Sequence, residues 1–200
     1  MRATRRALFV WTAWAATLGA GVLPCCGARA DPNGANSRIE PSHTEIAFSI
    51  GVVGYSKTEG SFRQFDGKIS INLDRPEKSA VAFHVKSGSI DVGSSSFGDY
   101  LRSAAFLDSS RYPYIDFVST SVRKLNDHEV SVSGELTLLG VTKPISVDVT
   151  VKRLPAANGR ERLGFEADAD IDRLDFGMDS GFPLVSKDVQ LRISCEAAKL

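Results

Sequence analysis

Any chemistry in this chain must fall to a small set of side chains. Three histidines, His43, His84 and His128, lie far apart, and none has a partner at metal-ligand spacing such as H-x-x-x-H. His84 alternates with Phe83 and Val85, which turns it to solvent, and His128 sits in the turn-like Asn126-Asp127-His128-Glu129. Glu166, Asp168, Asp170 and Asp172 begin like a calcium loop. That loop needs glycine at its sixth position and a bidentate glutamate at its twelfth, and Arg173 and Asp179 stand there. The carboxylates read instead as the outward face of a strand whose inward face is Phe165, Ala167, Ala169 and Ile171. Gly93-Ser94-Ser95-Ser96-Phe97-Gly98 is not the G-x-S-x-G of a nucleophile elbow. Cys195 occupies an apolar-facing position and reads as a small buried hydrophobe. No catalytic residue, metal ligand or cofactor is assigned, and the chain is read as a binding protein and not an enzyme.

Two polar residues keep a binding role open. Arg102, in Leu101-Arg102-Ser103-Ala104, either pairs with an acid such as Asp91 or Asp99 or meets an anionic ligand group. His43, in Pro41-Ser42-His43-Thr44, precedes the first strong strand at an expected barrel mouth. These are the two expected head-group contacts.

The elements that must position such residues are strands. Ile145, Val147, Val149 and Val151 alternate with Ser146, Asp148, Thr150 and Lys152, a period of two with one dry face and one wet one. The pattern recurs at Ile46–Val52, Ile69–Leu73, Val81–Val85, Ile115–Val122, Val130–Leu138, Leu163–Ile171 and Val189–Cys195. One-sided strands must share one apolar interior, and a sheet closed on itself provides it. The expected fold is all-β, an eight-stranded up-and-down antiparallel barrel. Phe97–Leu107 lacks alternation and reads as a short amphipathic helical segment capping one end, with Phe97, Leu101 and Ala104 or Ala105 on one face. Asp175-Phe176-Gly177-Met178 reads as a tight turn that can send Phe176 and Met178 inside.

The ends of the chain bound its setting. Residues 1–30 read as a cleaved secretory signal: Arg2, Arg5 and Arg6, then an apolar stretch, then Ala28-Arg29-Ala30 before Asp31. Ordinary secretion is favoured, although Thr4-Arg5-Arg6-Ala7-Leu8-Phe9 leaves a twin-arginine route open. A periplasmic or secreted location follows, after cleavage near Ala30. Residues 31–38 read as a flexible polar leader and 39–200 as the barrel domain. The signal carries four arginines and no acid, so 20 basic residues face 24 acidic ones in the remainder, which argues against nucleic acid as a partner. Only Cys195 remains after cleavage, so no internal disulfide is available and stability must come from the core.

Several stretches together resemble the YceI family of exported, polyisoprenoid-binding, lipocalin-like proteins. They are Ile39-Glu40-Pro41-Ser42-His43-Thr44-Glu45-Ile46-Ala47-Phe48-Ser49; Gly60-Ser61-Phe62 with Phe65 and Gly67; and Ser89-Ile90-Asp91-Val92-Gly93. Leu101 to Asp108 with Tyr112-Pro113, Gly134 to Pro144, and Asp172-Arg173-Leu174-Asp175-Phe176-Gly177-Met178 complete the set in the family's order. Val52 and Tyr100 stand where the family often has histidine. The resemblance implies a long isoprenoid or quinone-like lipid as the ligand in an apolar lumen. Alternation then nominates Phe48, Ile50, Phe83, Val85, Phe117, Val132, Leu136, Val147, Val149, Phe165, Met178, Leu191 and Ile193 as its lining. Contact with a membrane surface for ligand exchange, and a homodimer, are further partner options. Two other functions stay open: a structural or stress-protective protein whose barrel is filled by its own side chains, and a lipid-ester hydrolase.

Overall fold

The computed structural model describes residues 35–39, 43–55, 57–72, 75–157 and 160–199, and the expected signal segment 1–30 lies outside them. Eleven strands form one sheet among these residues. They are β1 (Ala35–Ile39), β2 (Glu45–Val52), β3 (Thr58–Phe62), β4 (Phe65–Ile71), β5 (Ala80–Lys86), β6 (Ile90–Asp91), β7 (Tyr114–Lys124), β8 (Glu129–Leu138), β9 (Val141–Ala157), β10 (Arg160–Asp172) and β11 (Val185–Lys199). One α-helix, α1 (Ser95–Arg102), lies between β6 and β7.

Every pairing is antiparallel. The hydrogen-bonded order β1-β4-β5-β7-β8-β9-β10-β11, with β11 also paired to β1, closes the sheet into a barrel. β2 runs along the same edge of β11 as β1, β3 pairs with β2, and β6 pairs with β3. Thus β1/β2, β3/β4 and β5/β6 are three staves, each broken once, and β7 to β11 are five unbroken ones. The expected eight strands are eight staves, three of them interrupted. The break between β5 and β6 has a local cause. Ser87 Oγ donates to the Tyr112 carbonyl at 2.6 Å and Ser89 Oγ to the Lys86 carbonyl at 2.6 Å, so side chains take over bonds that a ladder would have made.

Two other expectations change. The stretch read as a flexible leader overlaps β1, where residues 35–38 pair with β4 and 37–39 with β11. Backbone ladders do not require apolar side chains, so a polar sequence hid this strand. The helical segment is shorter than Phe97–Leu107. Ser94 caps its start by accepting from the Phe97 amide. Ser103 ends it: its hydroxyl donates to the Tyr100 carbonyl at 2.7 Å, and its backbone is extended. Ala104 and Ala105 therefore lie in the turns beyond the helix.

The turn between β8 and β9 is two residues, Leu139 (φ 52°) and Gly140 (φ 74°). Both left-handed values match the mirror-image turn that suits the twist of a tight hairpin. The β2–β3 hairpin, α1, the β8–β9 turn and the β10–β11 connection gather at one end of the barrel, called here the helix end. The β7–β8 turn lies at the other, where β4 and β9 end and β5 and β10 begin. Buried Ile46, Phe62, Val85, Ile90, Leu101, Phe106, Leu107 and Met178 pack together toward the helix end. Ile69, Phe165, Cys195 and Ala197 pack as a second cluster.

Candidate functional site

The barrel register brings apolar side chains face to face across neighbouring strands. Phe48 pairs with Leu191 and Ile46 with Ile193 between β2 and β11; Ala167 pairs with Ile193 and Phe165 with Cys195 between β10 and β11. Val149 opposes Ala167, Val132 opposes Val147, Phe117 opposes Leu136, and Phe83 opposes Phe117. Cross-strand partners share a face, so these side chains share the interior.

They surround a cavity of about 720 Å³. All thirteen nominated residues line it: Phe48, Ile50, Phe83, Val85, Phe117, Val132, Leu136, Val147, Val149, Phe165, Met178, Leu191 and Ile193. The volume falls within the roughly 300–1,000 Å³ of ligand pockets. A dry cavity of about 150 Å³ accepts one benzene, so by proportion this lumen has room for on the order of thirty carbons.

An eight-stave barrel is only just wide enough to be filled by its own side chains. Small inward residues keep this one open. Ala167 and Ala169 line the wall of β10. Gly134 stands in the inward register of β8, between Val132 and Leu136. A Cβ built on Gly134 would lie 2.5 Å from the ring of Phe117, and one on Gly60 would lie 2.6 Å from the ring of Phe48. Two phenylalanines thus lie folded against bare backbone instead of projecting across the bore.

Arg102 and His43 do not belong to the lining. Arg102 donates to the Ile90 carbonyl at 2.8 Å and to Asp99 at 3.1 Å, which pins α1 to β6. Asp91, the other acid considered for it, is instead bonded by Arg63. Its carboxyl is held below the usual range by the Gly93 amide and then by the Arg63 side chain. His43 is exposed just before β2. His84 faces solvent as expected, bonded to the Asp116 carboxylate and stacked on Tyr114 at 4.1 Å. The acidic row of β10 faces outward, with Glu166 on Lys152 (2.6 Å), Asp168 on Arg192 (3.0 Å) and Asp172 on Lys187 (2.7 Å). Cys195 is buried against the lumen, and burial pushes its thiol pKa up to about 12.

Alternation missed the polar part of the site. Arg173 lines the helix end of the cavity and is almost wholly buried. Its Nε donates to the Ser186 carbonyl, Nη1 to those of Met178 and Ser180, and Nη2 to that of Val185. One side chain therefore gathers both ends of the β10–β11 connection. Burial lowers its pKa, and the nearby charges of Asp179 and Asp172 act to raise it. The signal was present in the sequence, since Arg173 continues the inward parity of Phe165, Ala167, Ala169 and Ile171. Tyr55, Lys57, Phe97 and Tyr100 also reach the cavity from the helix end. They come from a hairpin and a helix, where no period of two marks a facing side.

A closed antiparallel meander around an apolar lumen defines a lipocalin-like barrel, a class built to enclose a ligand. The YceI-like domain family matches residues 38–197, and the chain belongs to that family. Protein YceI of Escherichia coli O157:H7 is 35% identical over 161 residues, covering 80% of this chain and 84% of that one. Protein YceI of Salmonella arizonae is 34% identical over 163 residues, with the same coverage. Among solved structures, Burkholderia cenocepacia BcnA matches with a TM-score of 0.74 at 21% identity, over 80% of this chain and 99% of that one. A polyisoprenoid-binding domain from Saccharophagus degradans matches with a TM-score of 0.67 at 15% identity, over 84% and 99%. At such identities these two likenesses are of fold.

Proposed function

We propose that this protein is an exported carrier or store for a long-chain isoprenoid lipid of polyprenol, polyprenyl phosphate or quinone type, held in the barrel lumen. The observation that carries the reading is the 720 Å³ cavity and its wall of aliphatic and aromatic side chains. Each methylene moved from water into such a wall contributes about 0.8 kcal/mol, so one isoprene unit contributes on the order of 3 kcal/mol before the chain is ordered. A methyl-branched hydrocarbon suits a lumen with few polar groups. The fold shared with a polyisoprenoid-binding domain supports the same ligand class. Binding does the work in this reading, with no catalytic step and no cofactor. The expected setting is the periplasm or the extracellular space, reached after cleavage near Ala30.

Native mass spectrometry of gently purified protein tests the reading. A bound lipid of roughly thirty carbons is expected, displaced by added polyprenol or quinone. Ala167→Phe and Ala169→Phe place rings in the lumen, and each should lower lipid stoichiometry while the protein stays folded. Protein that carries no lipid and takes up neither polyprenols nor quinones would refute the assignment.

A further inference from the structure

Six large hydrophobic side chains gather, exposed, around the helix end. Val53 and Tyr55, on the β2–β3 hairpin, are 67% and 82% exposed. Phe182 and Leu184, on the β10–β11 connection, are 53% and 64% exposed. Phe97 and Tyr100 stand on α1. The hairpin and the connection are tied directly, because the Val53 amide donates to the Leu184 carbonyl at 2.8 Å. Tyr55, Phe97 and Tyr100 also line the cavity. An apolar path therefore runs from the lumen to the outer surface of this end.

We infer that this rim docks on the surface of a phospholipid bilayer, so that cargo passes between membrane and lumen without crossing water. The inference rests on the lumen being a lipid site. Three features favour a bilayer as the occupant. The apolar groups stand on the tips of two loops, which a fluid surface accepts without a matching groove. Aromatic rings with a polar handle, such as Tyr55 and Tyr100, suit the boundary between headgroups and acyl chains. Charge agrees as well. No acid occurs from Gly51 to Thr58 or from Ser180 to Lys187; Lys187 is held by Asp172 and Asp188, so attraction to lipid phosphates falls to Lys57. Lys57 Nζ bonds a neutral amide, Gln190, at 2.8 Å, which leaves its charge available to lipid phosphates. The nearby acids Asp99 and Asp179 face the cations of Arg102 and Arg173.

The test compares wild type with a Val53→Ser/Leu184→Ser double variant. Neither side chain lines the cavity, and the backbone bond between the two loops is kept. Flotation with vesicles of phosphatidylethanolamine and phosphatidylglycerol should carry wild type upward, and the variant should partition at least about tenfold less. Polyprenol uptake from vesicles should slow similarly, while uptake from detergent micelles stays unchanged. Wild type that does not float, or a variant that floats equally, overturns the docking inference. So does a wild-type dimer that the variant breaks, which would make the rim a contact between copies. Failure of uptake from micelles by both proteins would refute the lumen assignment, and flotation then stands or falls separately.

Discussion

At the scale of single residues, the bore depends on absent side chains more than on present ones. Gly134 leaves space that the ring of Phe117 occupies, and an added methyl would meet that ring and the Val118 carbonyl at about the same distance. Gly134→Ala should therefore turn Phe117 into the lumen, costing about 1–3 kcal/mol in stability and reducing lipid capacity. Chemical denaturation and lipid titration of the variant check both effects. Cys195 offers a second test. With its thiol pKa raised to about 12 by burial, it stays protonated at pH 8, so iodoacetamide should label Cys195 far more slowly in the native protein than in urea. Equal labelling rates in the two states would show that the thiol is not enclosed. Arg173 carries a third. Four backbone carbonyls accept from it, and Arg173→Ala strands them at the end of the lumen. A loss of on the order of 3 kcal/mol or more is expected, together with faster proteolysis in the β10–β11 connection.

Among the elements, the β10–β11 connection should loosen in acid. Asp172 accepts from the Leu174 amide and from Lys187, and its carboxyl is held below its ordinary pKa of 3.8 chiefly by Lys187. Lys187 is raised in turn by Asp172. A carboxylate lowered on folding contributes stability above pH 3.8 and loses it as pH falls through its folded value. Protection of the 173–187 amides, taken relative to their intrinsic exchange rates, should thus fall below about pH 3.8 in wild type and show no such step in Asp172→Asn. The elements also show why parts of the fold were legible and others not. Strands β8 to β11 bury one face and wet the other, so Val147 or Ile193 declares its side by parity alone. Thr58-Glu59-Gly60-Ser61-Phe62 does not, because Gly60 has no side chain with which to mark the dry face. β6 is two residues long, too short for any period. The lumen wall was accordingly readable from sequence. Its mouth was not, because Tyr55, Phe97 and Tyr100 are aimed by a hairpin and a helix, and the bonds of Arg173, like that of Arg102 to Ile90, go to backbone carbonyls that no side-chain pattern reveals.

For the whole molecule, closure of the sheet leaves the wall uneven. β7 to β11 run unbroken, with pairings of up to eleven consecutive residues between β10 and β11. The adjoining staves β1/β2, β3/β4 and β5/β6 are short segments joined by breaks. Short ladders open locally at lower free energy than long ones. Amides of β1 to β6 should exchange measurably faster than those of β7 to β11 near neutral pH, and uniform protection around the ring would contradict that division. With exchange rates divided in that way, the wall is a rigid trough closed by three more compliant staves. A hydrocarbon with a methyl branch on every unit varies in girth along its length, and a cylinder of uniform stiffness would grip it only at the knots. With one flexible side, an enclosure holding the proposed lipid would yield to each branch as it entered and settle back around the narrower stretches between.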